Sequence, residues 1–449
     1  MIQQAHTLSE AHHTLRTDPL EGNHPFYTDL SEARGPKALA GLRLRLMEGR
    51  TSAADHHALV GHRGSGKSTE LLRLEEELKE DFFPVHLYLD PSLSNDTDYP
   101  ELLLWLVESV AMTLHGEKIN VSKALVNDVS KWFAETTKIE SSSRKSTIGL
   151  ETETEAGAAA SFFGTGFKTL LRIKSAITGD SEFRKESRSA IKRRADQLIE
   201  LVNLFLDSAQ EAIGSRRILI VQDNLDRLDR DSALALFRDS SSLLKRLRGS
   251  YIWTAPVSTQ LSPFNIANSF PNPAYMPMIT VRNRDGNPVN KALAALRELL
   301  GKRLDLKKLI NSTRTVNALI SYSGGSVRDL LKLTDAARIN ALLDGRGHIQ
   351  YSDVSGSALT YALGIQRSLF PHQTYFHILA EIHCDKNSLR HGAESPDQAD
   401  LEACRTQFHE LLSEGAVFAY NGDSLWYDVH PTLKALDDFK TACQNITTD

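Results

Sequence analysis

An α/β fold built on a parallel sheet, followed by helical units, is what this sequence predicts, and three observations predict it. A short apolar run, a glycine-rich loop and a helical pattern follow one another between His57 and Leu78. A second apolar run, Ile218-Leu219-Ile220-Val221, ends on Gln222 and Asp223, the pattern of a central parallel strand covered on both faces. Further short strand-like runs alternate with helical periodicity up to about residue 285. The chain has 449 residues, 41% apolar and 24% charged, enough for two to three domains with their own cores. No stretch of eighteen apolar residues occurs, so no transmembrane helix and no stable membrane insertion are expected. Three scattered cysteines make no disulfide framework. A net charge of −5 excludes a uniformly basic nucleic-acid coat. The opening residues show neither a charged leader nor an apolar block, and a cytoplasmic protein is expected.

The loop Gly61-His62-Arg63-Gly64-Ser65-Gly66-Lys67-Ser68-Thr69 fits G-x-x-x-x-G-K-[ST] at each fixed position. His57–Val60 reads as the strand before it, and Leu71, Leu72, Leu74 and Leu78 recur at helical spacing after it. Glycines let successive backbone N–H groups converge on phosphate oxygens, and the helix N-terminus adds partial positive charge. Lys67 is expected to reach the β- and γ-phosphates of ATP, and the Ser68 hydroxyl to ligate Mg²⁺. Asp223, ending the second strand, is where a carboxylate would hold that metal through water. The next position, Asn224, cannot act as a base, so binding is better supported than fast turnover. Asp226 stands two residues on; it either takes over as the acid or joins Arg227, Asp229 and Arg230 in an exposed ion-pair face.

Pro84–Asp90 alternates like a strand and Ser250–Thr254 forms another, while Met278–Val281 reads as the last one. Downstream, the glycine pair of Ser323-Gly324-Gly325-Ser326-Val327-Arg328-Asp329-Leu330-Leu331-Lys332-Leu333 opens a helix. With GHRGSGKST, ILIVQDNLD and Thr254, these residues make the chain resemble AAA+ ATPases of the replication-initiator and origin-recognition type. It is also similar to ATPases of bacterial mobile-element and defence systems. The resemblance covers about residues 25 to 355. It implies a three-layer P-loop core with a parallel sheet, a helical lid and a C-terminal winged-helix-like domain. It assigns Thr254 the sensor-1 position, with Ser258 second, and gives Arg328 the sensor-2 contact with the γ-phosphate, for which a guanidinium fork is suited. It places Phe26 or Tyr27 near the adenine. Two positions depart from the family: Asn224 replaces the catalytic acid, and no arginine finger lies between Gln260 and Pro277.

The expected boundaries are an N-terminal lead-in over 1–50, the core over 51–285, a lid over 286–360 and the C-terminal domain over 361–449. An insertion at about 120–200 interrupts the core. Its residues 137–154 read as a loop, and from Lys168 to Arg194 nine basic residues face three acidic ones, a surplus of six. That surplus suits nucleic-acid phosphates, an anionic membrane surface or a solvated helical arm packed on a neighbour. In the last domain, Asn421-Gly422-Asp423 between alternating runs predicts a β-hairpin. His377, His383, Cys384 and His391 lack zinc-site spacing. The expected activity is slow Mg²⁺-dependent ATP hydrolysis. The expected partners are further copies of the chain, a companion effector protein and double-stranded DNA.

Overall fold

The computed structural model describes residues 3–34, 37–49, 54–89, 93, 96–137, 162–261, 264–369, 374–387, 398–421 and 425–448. Five parallel strands form the central sheet: β1 (Ala54–Gly61), β2 (Phe82–Tyr88), β3 (Arg217–Asp223), β4 (Gly249–Ala255) and β5 (Ala274–Met276), in the spatial order β2-β3-β4-β1-β5. Strand alternation sorts the side chains into two buried layers. Leu59, Phe82, Leu219, Val221 and Ile252 face the helices Lys37–Glu48 and Lys67–Leu78. Ala58, Val60, Val85, Ile218, Ile220, Tyr251 and Trp253 face the opposite side. There they meet Tyr99–Gly116 and Ala195–Ile213. The expected three-layer core is present, with both faces covered as all-parallel sheets require.

The last strand differs from expectation. Ala274–Met276 pairs with Leu59–Gly61, four residues before the predicted Met278–Val281. Pro277 follows it at once and has no N–H to continue the ladder, so Ile279 and Val281 turn away into the lid core. That lid core is built from Asn290–Arg303, Thr313–Tyr322, Val327–Leu343 and the first half of Tyr351–Ser368. Ala5, Leu8, Ala11 and Leu15 belong to the same cluster, and Ala5 bridges to Leu304. The N-terminal residues therefore pack on the lid before the chain enters the core.

The helix Tyr351–Ser368 runs through the expected boundary near 360: Val354 and Ala358 lie in the lid cluster and Ala362 in the C-terminal one. The C-terminal unit adds Thr374–Asp385, Gln398–Ser413 and Asp437–Thr448 around an antiparallel pair, β6 (Val417–Asn421) and β7 (Leu425–Val429). The hairpin predicted from Asn421-Gly422-Asp423 thus has its strands, while the turn at 422–424 lies outside the described residues, as does His391.

The insertion is helical: Lys123–Thr137, Thr165–Gly179 and Ser181–Lys192. Most of the predicted loop at 137–154 lies outside the described residues. Phe163 and Phe167 are buried in the core's larger apolar cluster, so neither is free to enter a membrane interface. The basic surplus is partly tied down within the chain. Arg184 pairs with Asp96 at 2.8 Å, Arg188 with Asp96 at 2.7 Å and Glu101 at 3.0 Å, and Lys174 with Glu108 at 2.5 Å. Lys192 pairs with Asp98. These four of the nine basic residues meet carboxylates far upstream in sequence and fasten the arm to its own core, while Lys168, Arg172, Lys185 and Arg193 are exposed. Among the described residues no helix is long and apolar enough to cross a membrane.

Candidate nucleotide site

The P-loop leaves β1 at Gly61 and enters the helix Lys67–Leu78, whose N-cap is Gly66. A cavity of about 740 Å³ opens above it, within the range of ligand pockets. Its walls come from the N-terminal residues 17–34, the P-loop with its helix, Tyr88 at the end of β2, the loop after β3, and the lid helices Asn290–Arg303 and Val327–Leu343. Arg63, Gly64, Gly66, Lys67, Ser68 and Thr69 line it, as do Asn224, Asp226 and Arg328.

Lys67 is almost wholly enclosed. Its Nζ donates to the carbonyls of Gly61 (2.9 Å) and His62 (2.7 Å) and lies 2.8 Å from Asp226 Oδ2. Burial pulls its pKa down, with Asp226 acting in the opposite sense. Asp226 therefore lines the cavity with a largely buried side chain rather than standing in an exposed ion-pair face. Asp229 instead caps the short helix after it, accepting from the Ser232 amide at 2.8 Å. Asn224 sits in the left-handed region at φ 65°, which turns the chain back so that Asp226 reaches the lysine.

Asp223 is fully buried at the end of β3. Burial alone would raise its pKa, but hydrogen bonds from His86 and from the Ser68 hydroxyl hold it below the usual value. Its Oδ1 accepts from the Asn224 amide at 2.7 Å. Ser68 and Asp223 thus present adjacent hard oxygens, the donor set that fits Mg²⁺. Thr254 lies beneath this loop. Its Oγ1 accepts from the Leu225 amide at 3.0 Å and donates to the Gln222 carbonyl at 3.1 Å. It is fully buried and ties β4 to the turn that carries Asn224 and Asp226. Ser258 is buried in the turn after β4.

The lid is seated directly on the loop. The Arg328 amide donates to the Gly64 carbonyl at 3.3 Å. Gly64 has φ 79°, and a Cβ there would lie 2.8 Å from Ser326 Oγ and 2.9 Å from Arg328 Cβ; only glycine permits both the turn and this approach. Arg63 reaches across to the Arg227 carbonyl at 2.6 Å. His62 faces the other way: its Nε2 accepts from the Ala419 amide of β6 at 2.7 Å, and its ring meets Phe418 edge-on at 5.4 Å. Burial, and then Lys67, push its pKa down to about 3, so the ring is neutral. Ser65 is buried too. Of the predicted loop residues, Gly61, His62 and Ser65 lie outside the cavity lining while the other six line it.

Arg34 was not foreseen, unlike Tyr27 and Phe26. Arg34 lies across the loop, donating to the Ser65 carbonyl and pairing with Glu70 at 3.1 Å. Its buried Nε has no partner among the described residues. Tyr27 lines the cavity with its hydroxyl on Glu70 at 3.2 Å, and Arg73 stacks on its ring at 4.3 Å. Phe26 is more deeply buried, under Arg303. Local sequence around Arg34 holds no signal for this; it reaches the loop only because the N-terminal segment folds over it. The arrangement is chemically suited to a polyphosphate. Arg63, Lys67 and Arg328 bring three cationic side chains to the cavity at the start of the P-loop helix, where Ser68 also lines it.

No family model matches the chain, and no curated protein is similar to it in sequence. Among solved structures, the ORC2 protein of Aeropyrum pernix in ADPNP–ADP complexes is similar at 11% identity and a TM-score of 0.41, covering 97% of this chain and 98% of that one. A Walker-type ATPase of Pyrococcus abyssi is similar at 12% identity and 0.43, covering 96% and 99%. The RuvB branch-migration motor of Thermotoga maritima is similar at 11% identity and 0.34, covering 90% and 95%. In this chain the P-loop leaves β1, the carboxylate ends β3, β4 lies between them and the lid meets the loop through the Arg328 amide, which is the three-layer core with a helical lid expected from the sequence.

Proposed function

We propose that the chain is an ATP-operated switch, binding Mg²⁺–ATP between core and lid and hydrolysing it slowly. The nucleotide state would control self-association and the engagement of DNA or of a companion effector protein. The observation that supports this most is that the P-loop is held from two sides. The lid grips it through the Arg328 amide on Gly64, and the C-terminal hairpin through the Ala419 amide on His62. A phosphate entering this loop acts on both contacts at once, as a ligand that shifts a two-state equilibrium must.

Bound Mg²⁺ would supply charge neutralisation at the phosphates, with Ser68 and Asp223 as its protein ligands. Lys67 would exchange Asp226 for phosphate oxygens, and Arg328 would bring the lid onto the same charge. The released Asp226 is the one carboxylate after β3 placed to orient water, since Asn224 cannot accept a proton. Asp226→Asn is therefore expected to lower phosphate release at least ~10-fold while leaving nucleotide affinity the same or higher. Unchanged turnover would reduce Asp226 to a counter-ion.

The C-terminal unit, winged-helix-like in its order of helices and hairpin, offers Gln398–Ser413 as a candidate recognition helix for a DNA groove. Here that helix is turned toward the core: Thr406 meets Arg230 at 3.2 Å, and Val257 of the core joins the C-terminal cluster. DNA engagement through it would need undocking, so ATP is expected to act before DNA does. The test is the mass distribution of the protein with ATP, with ADP and without nucleotide, each with and without a DNA duplex. Growth in mass with ATP that DNA deepens supports the DNA reading. Growth indifferent to DNA supports a protein effector. A single mass throughout, with nucleotide tightly held, removes the switch.

A further inference from the structure

His86 belongs to no motif, yet it stands at the centre of the metal side of the site. Strand alternation on β2 turns Phe82 toward the face that carries the P-loop helix, and His86, four residues on, points the same way. Its ring is one-tenth exposed. Nδ1 lies 2.5 Å from Glu75 Oε1 and Nε2 lies 3.4 Å from Asp223 Oδ2. Glu75 belongs to Lys67–Leu78, the helix that carries Ser68 at its first turn. One imidazole therefore joins the P-loop helix to the carboxylate strand, the two elements that hold the two candidate Mg²⁺ ligands.

The geometry around Asp223 shows what this link does. Oδ1 is taken by the Asn224 amide and Oδ2 is steered by His86, which together fix the carboxylate plane. The Ser68 hydroxyl is close enough to help hold the same carboxylate ionised. A buried carboxylate without these partners would be free to rotate away from Ser68, and the pair of oxygens would lose its spacing. Ligands held by such outer partners typically lose 10–100-fold in metal affinity when a partner is removed.

We propose that Glu75 and His86 are positioning residues for the Mg²⁺ site, with His86 orienting Asp223 and Glu75 holding His86 from the P-loop helix. The inference rests on the nucleotide-site reading and adds two residues to it. The test uses the full chain and a fluorescent ATP analogue, with affinity measured in EDTA and across a Mg²⁺ titration. Wild type must bind the analogue in EDTA and bind it more tightly with Mg²⁺; failure of the first sinks the nucleotide site itself, failure of the second sinks the metal site. His86→Ala is expected to raise the Mg²⁺ concentration at half-effect about 10-fold while affinity in EDTA changes less than about 2-fold. His86→Asn, which keeps an N–H donor, should recover part of the shift. Glu75→Gln, which keeps a hydrogen-bond acceptor for the ring, should shift it in the same direction by less and guards against misfolding of the alanine variant. An unchanged Mg²⁺ requirement, or a parallel loss of affinity in EDTA, overturns the proposal.

Discussion

Lys67→Ala is expected to abolish nucleotide binding, with affinity falling at least ~100-fold. A charge-assisted hydrogen bond to phosphate is worth about 1.5–3 kcal/mol. The buried Asp226, 2.8 Å from Nζ in the folded chain, would lose its counter-charge and repel the incoming phosphates. Breaking a buried pair by removing one partner costs about 3–5 kcal/mol, so the variant should also melt at a lower temperature. Titration with a fluorescent ATP analogue separates the two effects when run well below the variant's midpoint. Affinity near the wild-type value in a folded variant would remove the phosphate-site assignment.

Gly325→Ala should cost several kcal/mol and take the lid apart. Gly325 has φ 88°, and a Cβ there would come 1.8 Å from the Ile279 carbonyl oxygen and 2.7 Å from its carbon. The left-handed backbone alone costs an alanine about 1–2 kcal/mol. The collision adds to this, because Ile279 is buried in the lid core and has no room to retreat. The total belongs with the large, mechanistically assignable losses above about 4 kcal/mol. Displacing this turn also displaces Arg328 from Gly64, so nucleotide affinity should fall in the same variant. Gly347→Ala is the control, since nothing lies within 4 Å of a Cβ there. Equal melting temperatures for the two variants would show that the glycine pair does not set the lid.

What could be read in the sequence was whatever is contiguous. The P-loop carries its chemistry and its strand–loop–helix context in about twenty residues. The apolar run before Asp223 and the alternation around Asn421 also act locally, and each became the expected element. The misses all involve partners distant in the chain. Arg34 and His86 reach the site only through packing, and Arg188 finds Asp96 and Glu101 across the insertion. The shift of β5 was different in kind. Pro277 was visible, but which side of it would pair depended on Gly61 meeting Met276.

The hydrogen bond between His62 and the β6 amide has a consequence that runs outward from the site. Coupling free energies are reciprocal: if phosphate in the P-loop loosens the hairpin, then pulling the hairpin away must change the hold on phosphate by the same factor. The C-terminal unit would then be a handle on the pocket as well as its reporter. A body that captured this unit and drew it aside would alter how long the nucleotide stays, without touching the cavity. Residence time would then be set by whatever the far end of the molecule is tethered to.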